Sequence, residues 1–332
     1  MKVIILSDGV PGHFNQSKGV SKLIAEKIIF TEEIKILEPK FFIFRSFIKI
    51  FSRYLCKRLN KSRAILIQSF YKKIDIDNCD LIIAAGGNTA AFSAAISMLN
   101  EIPNIQLGSP RGIHSNFFNA HLTIERYFDT PRNIVLDITP NLYSPSICNN
   151  ASDNLSSEDS CLLLMGGNGI AHTYTDDEWR HLLNNIKSFV NIHSIELVIV
   201  TSRRTDSKIE ELFRKELFGF YSNRSIWFNL GGKNANLAKL LGNACKVFVT
   251  EDSTMMISES ISSGKKVTTL YPKNIHAPAR YTKHIQKYID LDLIDSQSIS
   301  SPLNLELGID NIDKINSIRD KLRQKILDRI GL

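Results

Sequence analysis

Residues 247–272 read VFVTEDSTMMISESISSGKKVTTLYP, a complete strand–loop–helix–strand unit. The apolar run at 247–250 reads as a buried parallel strand. It ends in Glu251-Asp252-Ser253-Thr254, where short side chains suit a helix N-cap. The helix closes at Gly264, and a second apolar strand starts after Lys265 and Lys266. Such units build parallel sheets. Helix amides and hydroxyls at the carboxyl end of a parallel strand form a site for an anion, most often a phosphate. Glu259 lies inside the following helix, where its carboxylate could accept hydrogen bonds from a sugar's hydroxyl pair. Phosphate donors followed by one carboxylate are what a nucleotide-sugar site needs. An ordinary capped strand–loop–helix gives the same letters.

The same alternation runs through the chain. A strand near residues 3–6 leads into Ser7-Asp8-Gly9-Val10-Pro11-Gly12-His13 and a helix to about Ile29. Another at 81–84 leads into Ala85-Gly86-Gly87-Asn88-Thr89 and a small-residue helix, with short strands in NIQLGSP and AHLTIE. A second block holds CLLLMGG, IELVIVTSRRT, SIWFN, KVFVTED and KVTTLYP as strands. The polar stretch 141–160, rich in Ser and Asn, reads as a linker. The expected class is α/β with two Rossmann-like, doubly wound parallel-sheet domains at 1–145 and 160–309. Residues 310–332 read as an amphipathic helix, with apolar positions at Ile312, Ile315, Ile318, Leu322, Ile326 and Ile330.

A chain of 332 residues suits two such domains. The five cysteines are odd in number and form no C-x-x-C pair, which fits a reducing cytoplasm and argues against a zinc site. No signal peptide or membrane-spanning run is read in the sequence, so the protein is expected to stay where it is made. The net charge of +7 is uneven: residues 40–73 carry ten basic side chains and no acidic one, leaving −3 for the rest. Arg45, Lys49, Arg53 and Lys57 recur every four residues, one stripe on a helix. Phe41, Phe42, Phe44, Phe47 and Phe51 stand among them. The pattern suits a helix lying on an anionic membrane surface, or a core helix with a solvated basic face. Nucleic acid, though attracted by such charge, is not the expected partner, because the phenylalanines are too many for a phosphate-reading helix.

Four strand ends could carry chemistry. In DGVPGHFNQ, two glycines let backbone approach a ligand, and His13 can exchange a proton near neutral pH. Asp8 is either a base or the partner that orients His13. GGNTAAF supplies Gly87, Asn88 and Thr89 at a helix start, as acceptor or phosphate contacts. It has neither dinucleotide-fingerprint nor P-loop spacing. LMGGNGIAH places Gly166, Gly167 and Asn168 after a buried strand. In VTSRRT, Arg203 and Arg204 offer bidentate contacts to a diphosphate, with Thr205 beside them. No D-x-D stands at a strand end, so no metal is expected.

Taken in order, LSDGVPGHFNQSKGV, AAGGNTAAFS, QLGSPR, LLMGGNG, VTSRRT and VTEDSTMMISESISSGKKV resemble the ELM-type mitochondrial-fission proteins and their bacterial relatives. The resemblance covers residues 3–272 and is weakest over the basic segment and the tail. It implies a GT-B glycosyltransferase fold, with two Rossmann-like domains facing across a cleft. It further implies that the second domain binds a nucleotide-sugar, with Glu259 on the ribose and Ser253 and Thr254 on the diphosphate. Asp252, Gly166, Gly167, Asn168, Arg203, Arg204 and Thr205 would complete the donor site. The first domain would bind the acceptor through Gly12, Asn15, Gly87, Asn88, Thr89 and Arg111, with His13 and Asp8 as catalytic groups. Gly87-Asn88-Thr89 departs from the arginine pair that relatives often carry there.

The leading expectation is a metal-independent glycosyltransferase on the cytoplasmic membrane face. It would use a nucleotide-sugar as co-substrate, with no other cofactor, and a glycolipid or oligosaccharide acceptor of a surface glycan or lipopolysaccharide core. A non-catalytic membrane adaptor and a nucleotide-sugar epimerase are the alternatives on the same fold.

Overall fold

The computed structural model describes residues 1–152, 160–169, 171–232, 235–304, 306 and 310–332. Residues 153–159 of the expected linker and Ile170 of the glycine loop lie outside them. The chain divides into two compact units, Met1–Leu142 with Ile318–Leu332, and Tyr143–Ser317.

Unit 1 is built in the order β1 (Lys2–Ser7), α1 (Pro11–Ala25), β2 (Thr31–Ile36), α2 (Arg45–Cys56), α3 (Lys61–Ser69), β3 (Leu81–Ala85), α4 (Ala90–Asn100), β4 (Asn104–Leu107), β5 (Ala120–Thr123) and β6 (Asn133–Val135). Its strands form one parallel sheet, ordered β2-β1-β3-β4-β5-β6. Alternate residues of β1 face opposite sides, as a pleated strand requires. Ile4 and Leu6 pack with α2, α3 and α4, whereas Val3 and Ile5 pack with Val20, Leu23 and Ile24 of α1.

Unit 2 continues with α5 (Pro145–Ala151), β7 (Ser160–Met165), β8 (His172–Thr173), α6 (Asp176–His193), β9 (Glu196–Thr201), α7 (Ser207–Glu216), α8 (Leu237–Gly242), β10 (Ala244–Thr250), α9 (Thr254–Ser262), β11 (Val267–Tyr271), β12 (Asn274–Ile275), α10 (Ala279–Asp290) and β13 (Ile294–Ser298). The main sheet is again parallel, ordered β13-β11-β10-β7-β9, and β8 pairs with β12 in a small antiparallel ribbon. Thr175 and Glu178 form a capping box at the start of α6. That helix then lays Trp179, Leu182, Ile186 and Phe189 on Cys161, Leu163 and Phe248 of the sheet. The last helix, α11 (Ile312–Ile330), starts in unit 2 and ends in unit 1. There Ile326, Leu327 and Ile330 join Val3 and Ile5, and Glu26 pairs with Arg319 and Arg323.

Three sequence expectations differ from this fold. The stretch read as a linker contains α5, capped by Ser144 (Oγ accepting from Ile147 N at 3.2 Å) and started by Pro145. Its Cys148 backbone lies so close to α8 that a Cβ on Gly242 would stand 2.2 Å from the Cys148 oxygen. The division therefore falls after Leu142 rather than at 145, and unit 2 starts earlier than 160. The segment SIWFN is not a strand: Val200 and Ile226 form an isolated bridge, and a 3₁₀ turn covers Phe228–Leu230. The amides of Asn229 and Leu230 donate to the buried Glu210 carboxylate at 3.1 and 3.0 Å instead of to a ladder. The first helix ends at Ala25, a turn sooner than its apolar pattern indicated.

Candidate functional site

Each sheet reverses its strand order once, and ligands of open parallel sheets bind at the carboxyl ends of the strands at such a point. In unit 1 the reversal lies between β1 and β3, and in unit 2 between β7 and β10. The loops after Ser7, Ala85 and Met165 and the Glu251–Thr254 turn stand at these four ends, and the turn with Arg203 and Arg204 follows the neighbouring β9.

In unit 1, Asp8 follows β1 and His13 sits in the first turn of α1. His13 Nδ1 lies 3.1 and 3.2 Å from the Asp8 carboxylate oxygens. The same carboxylate accepts from Asn88 Nδ2 at 2.9 Å and from the Val10 amide at 3.2 Å. Burial works against the charge on Asp8, but the bonds from His13 and Asn88 outweigh it and hold the carboxyl below its ordinary range. Its side chain is only 4% exposed, while His13 is 34% exposed. With the Nδ1 hydrogen on Asp8, His13 Nε2 is left as the acceptor that a general base needs.

The glycines of this turn make room for side chains. Gly86 has φ +84°, and a Cβ there would stand 2.3 Å from the His13 ring. A Cβ on Gly87 would stand 2.8 Å from Arg111 Cγ. Sequence reasoning missed Arg53, whose Nε donates to Gly87 O and whose Nη2 donates to Asn88 Oδ1, both at 3.1 Å. Two arginines, Arg53 and Arg111, thus flank Gly87-Asn88, where relatives were expected to carry an arginine pair. Thr89, read as an acceptor contact, is fully buried and donates to Ala85 O and Gly86 O at 2.9 and 3.0 Å. Its hydroxyl closes the turn instead. Gly12 and Asn15 are half-buried on α1, and no side chain crowds the Gly12 backbone.

The basic stripe of α2 also departs from expectation. Arg53 reaches the site loop, and Arg45 and Lys49 line a cavity beside Asp8 and Asn88. Apolar side chains share the solvent with exposed Arg45 and Lys57: Phe47, Ile50 and Tyr54 of α2 are 63–65% exposed, and Ile43 just before it is 91% exposed. Phe42, one of the five phenylalanines, has no described side chain.

In unit 2, three strand ends lock together. Gly166 N donates to Thr250 Oγ1 at 2.7 Å, and Thr250 Oγ1 donates to Asp252 Oδ1 at 2.7 Å. Thr205 is buried and donates to Met165 O at 3.0 Å and Gly166 O at 2.5 Å, so it ties the β9 turn to the β7 turn rather than facing a ligand. The turns pack so tightly that a Cβ on Gly166 would stand 2.2 Å from the Asp252 carboxylate, and one on Gly167 2.1 Å from the Arg204 backbone oxygen. Asp252 is likewise withdrawn, with no exposed side chain, and pairs with Arg204 Nη2 at 2.6 Å. Burial raises its carboxyl above the ordinary value, despite the Thr250 bond and the Arg204 charge. The carboxylate holds Arg204, whose side chain is 34% exposed. Arg203 stands exposed beside it and makes no ion pair among the described residues. Asn168 is exposed, with Oδ1 accepting from Tyr174 N at 2.7 Å.

Ser253 caps α9, its Oγ accepting from Met256 N at 3.4 Å, and Thr254 opens the helix half-buried. Glu259 is half-buried on the same helix and makes no hydrogen bond or ion pair among the described residues. Burial raises its carboxyl from 4.5 to about 7. Tyr143, which sequence reasoning also missed, is close enough for burial and the Glu259 charge together to raise its phenol. No group of three or more His, Cys, Asp or Glu among the described residues could hold a metal ion.

The family model for Mitochondrial fission ELM1 matches residues 11–297. The chain belongs to the mitochondrial fission ELM1 family. Among solved structures, a Polygonum tinctorium UDP-glucosyltransferase able to glucosylate indoxyl, in complex with 3,4-dichloroaniline, matches this ELM1-family protein at a TM-score of 0.51 and 10% identity. The match covers 99% of this chain and 97% of that one. MnaA of S. aureus in its co-structure with UDP matches at 0.49 and 10% identity, over 99% and 90% of the two chains. E. coli ADP-heptose lps heptosyltransferase II matches at 0.47 and 11% identity, over 99% of both. The ELM1-family protein therefore has a GT-B-like fold of two parallel-sheet α/β units, a likeness drawn from the first structure. No curated protein matches it by sequence.

Proposed function

We propose that this ELM1-family protein is a glycosyltransferase that moves a sugar from a nucleotide-sugar to an acceptor hydroxyl. The observation that carries the reading is Glu259: a half-buried carboxylate with no hydrogen-bond or ion-pair partner among the described residues, on a helix whose capped N-terminus stands at a switch point. A ribose hydroxyl pair would supply the hydrogen bonds it lacks, while the α9 amides, Ser253 and Thr254 take the diphosphate. Arg203 and the exposed part of Arg204 would offset charge on the departing diphosphate.

In unit 1, His13, oriented by Asp8, would take the proton from the acceptor hydroxyl at Nε2. The bond between the sugar's anomeric carbon and the diphosphate oxygen breaks, and a bond to the acceptor oxygen forms. The nucleoside diphosphate leaves with the bond's electron pair. The exposed Phe47, Ile50 and Tyr54 face, flanked by basic residues, would rest on the cytoplasmic leaflet of the membrane. The acceptor would then be a glycolipid or oligosaccharide of a surface glycan or lipopolysaccharide core. No helix among the described residues is long and apolar enough to cross a membrane.

The test is thermal unfolding of the full chain with a panel of nucleotide-sugars and nucleoside diphosphates, followed by nucleotide release with the best donor. At a hundredfold excess over Kd a ligand stabilises by about 2.7 kcal/mol. Stabilisation by one nucleotide class, turnover that survives EDTA and loss of turnover in His13→Ala are expected. A chain that no nucleotide stabilises would refute the donor site, and activity lost to EDTA and restored by manganese would refute the metal-independent step.

A further inference from the structure

A cavity of about 410 Å³ opens beside Asp8 and Asn88 at the carboxyl ends of β1 and β3. Its wall carries four cations, Lys40, Arg45, Lys49 and Lys72, against two carboxylates, Asp8 and Glu38. Neither carboxylate neutralises the whole set. Glu38 is held by Lys72 at 2.6 Å, and Asp8 is occupied by His13 and Asn88. Lys40 and Lys49 make no ion pair among the described residues, although Lys49 is half-buried against the wall. Behind the wall, burial and the charge of Arg111 lower the pKa of Arg53, a sign that positive charge is crowded here. Cations gathered in a recess beside a polarised carboxylate–histidine pair raise the local concentration of anions and orient them.

We propose that this cavity seats an anionic group, a phosphate or a carboxylate, carried by the acceptor saccharide. The acceptor is then a charged sugar, held by Lys40, Lys49 and Arg45 so that a hydroxyl of the same molecule meets His13. The inference rests on the reading of unit 1 as the acceptor-binding unit. It makes the basic side of α2 a substrate contact, distinct from the apolar side that carries Phe47, Ile50 and Tyr54.

Calorimetry on the full chain, without lipid, tests it with glucose 6-phosphate, glucuronate and neutral glucose. At least one charged sugar should bind tenfold or more tightly than glucose, and whichever does so identifies the anion as phosphate or carboxylate. Lys40→Ala combined with Lys49→Ala should bring its affinity to the level of glucose, while Lys49→Arg retains it. Lys40 is exposed and Lys49 half-buried, and an unchanged melting temperature of the double variant confirms its fold. Equal affinity for charged and neutral sugars overturns the proposal, as does a double variant that binds like the parent. It is also overturned if phosphatidylglycerol vesicles bind in a Lys49-dependent way while no soluble anion does, since the cations would then be a lipid headgroup site. UDP binding, measured on the same samples, depends on unit 2. Its absence counts against the donor reading alone.

Discussion

Replacing Glu259 by glutamine should make the protein more stable and a poorer binder of nucleotide. The Glu259 carboxyl titrates at about 7 in the fold against 4.5 unfolded. A group whose folded value is raised contributes stability that is fully present below the unfolded value and lost as pH rises through the folded one. The window here is pH 4.5 to 7. At about 1.4 kcal/mol per pH unit the loss approaches ~3.5 kcal/mol, and partial exposure of the side chain reduces it to ~2 kcal/mol. Glutamine has no such loss. At pH 8 the variant should therefore melt about 4–8 °C above the parent in the transition of unit 2, and the two should nearly coincide at pH 4.5. A carboxylate's bonds to a hydroxyl pair contribute about 1.5–3 kcal/mol, so nucleotide affinity should fall roughly 10- to 100-fold. Scanning fluorimetry across pH and calorimetry at pH 8 read the two effects. No gain in stability at pH 8 would refute the claim that the carboxylate is uncompensated, and undiminished affinity would refute the ribose contact.

Two further outcomes are expected. Asp8→Asn cannot hold the His13 tautomer with a free Nε2, so turnover should drop about 10²–10⁴-fold while nucleotide affinity stays; an active variant would make Asp8 dispensable. Changing Phe47, Ile50 and Tyr54 to serine should abolish sedimentation with phosphatidylglycerol vesicles even at low salt, each burial contributing about 1.5–3 kcal/mol; a triple variant that still pellets would show that this face does not meet lipid.

The parallel sheets could be read from short apolar runs that end in Gly, Ser, Thr or Asp before a helix, because a strand buried on both faces needs no alternation. The loops at the switch points were legible for the same reason. What those loops do internally was not. Thr89 and Thr205 have the same letters as ligand contacts, but their hydroxyls bond to turn carbonyls, which only tertiary placement decides. Asp252 looked like a phosphate-site side chain until its pairing with Arg204 was visible. The four-residue spacing of Arg45, Lys49 and Arg53 correctly marked one stripe on α2. Periodicity says that residues share a face, but not what the face meets, and here it meets the site loop while the apolar side meets solvent. Helix α5 was hidden because its exposed side is polar, although Ser144-Pro145 is a helix-start signal.

The placement of α11 has a consequence for synthesis. One side of the unit 1 sheet is covered partly by Ile326, Leu327 and Ile330, residues made after all of unit 2. On the ribosome, residues 1–142 emerge with Val3 and Ile5 lacking that cover until Ile318 and beyond appear. At roughly 5–20 residues per second, that interval is about 10–35 s. The half made first is finished last, so a nascent chain stalled within unit 2 should expose an incomplete sheet to chaperones and proteases.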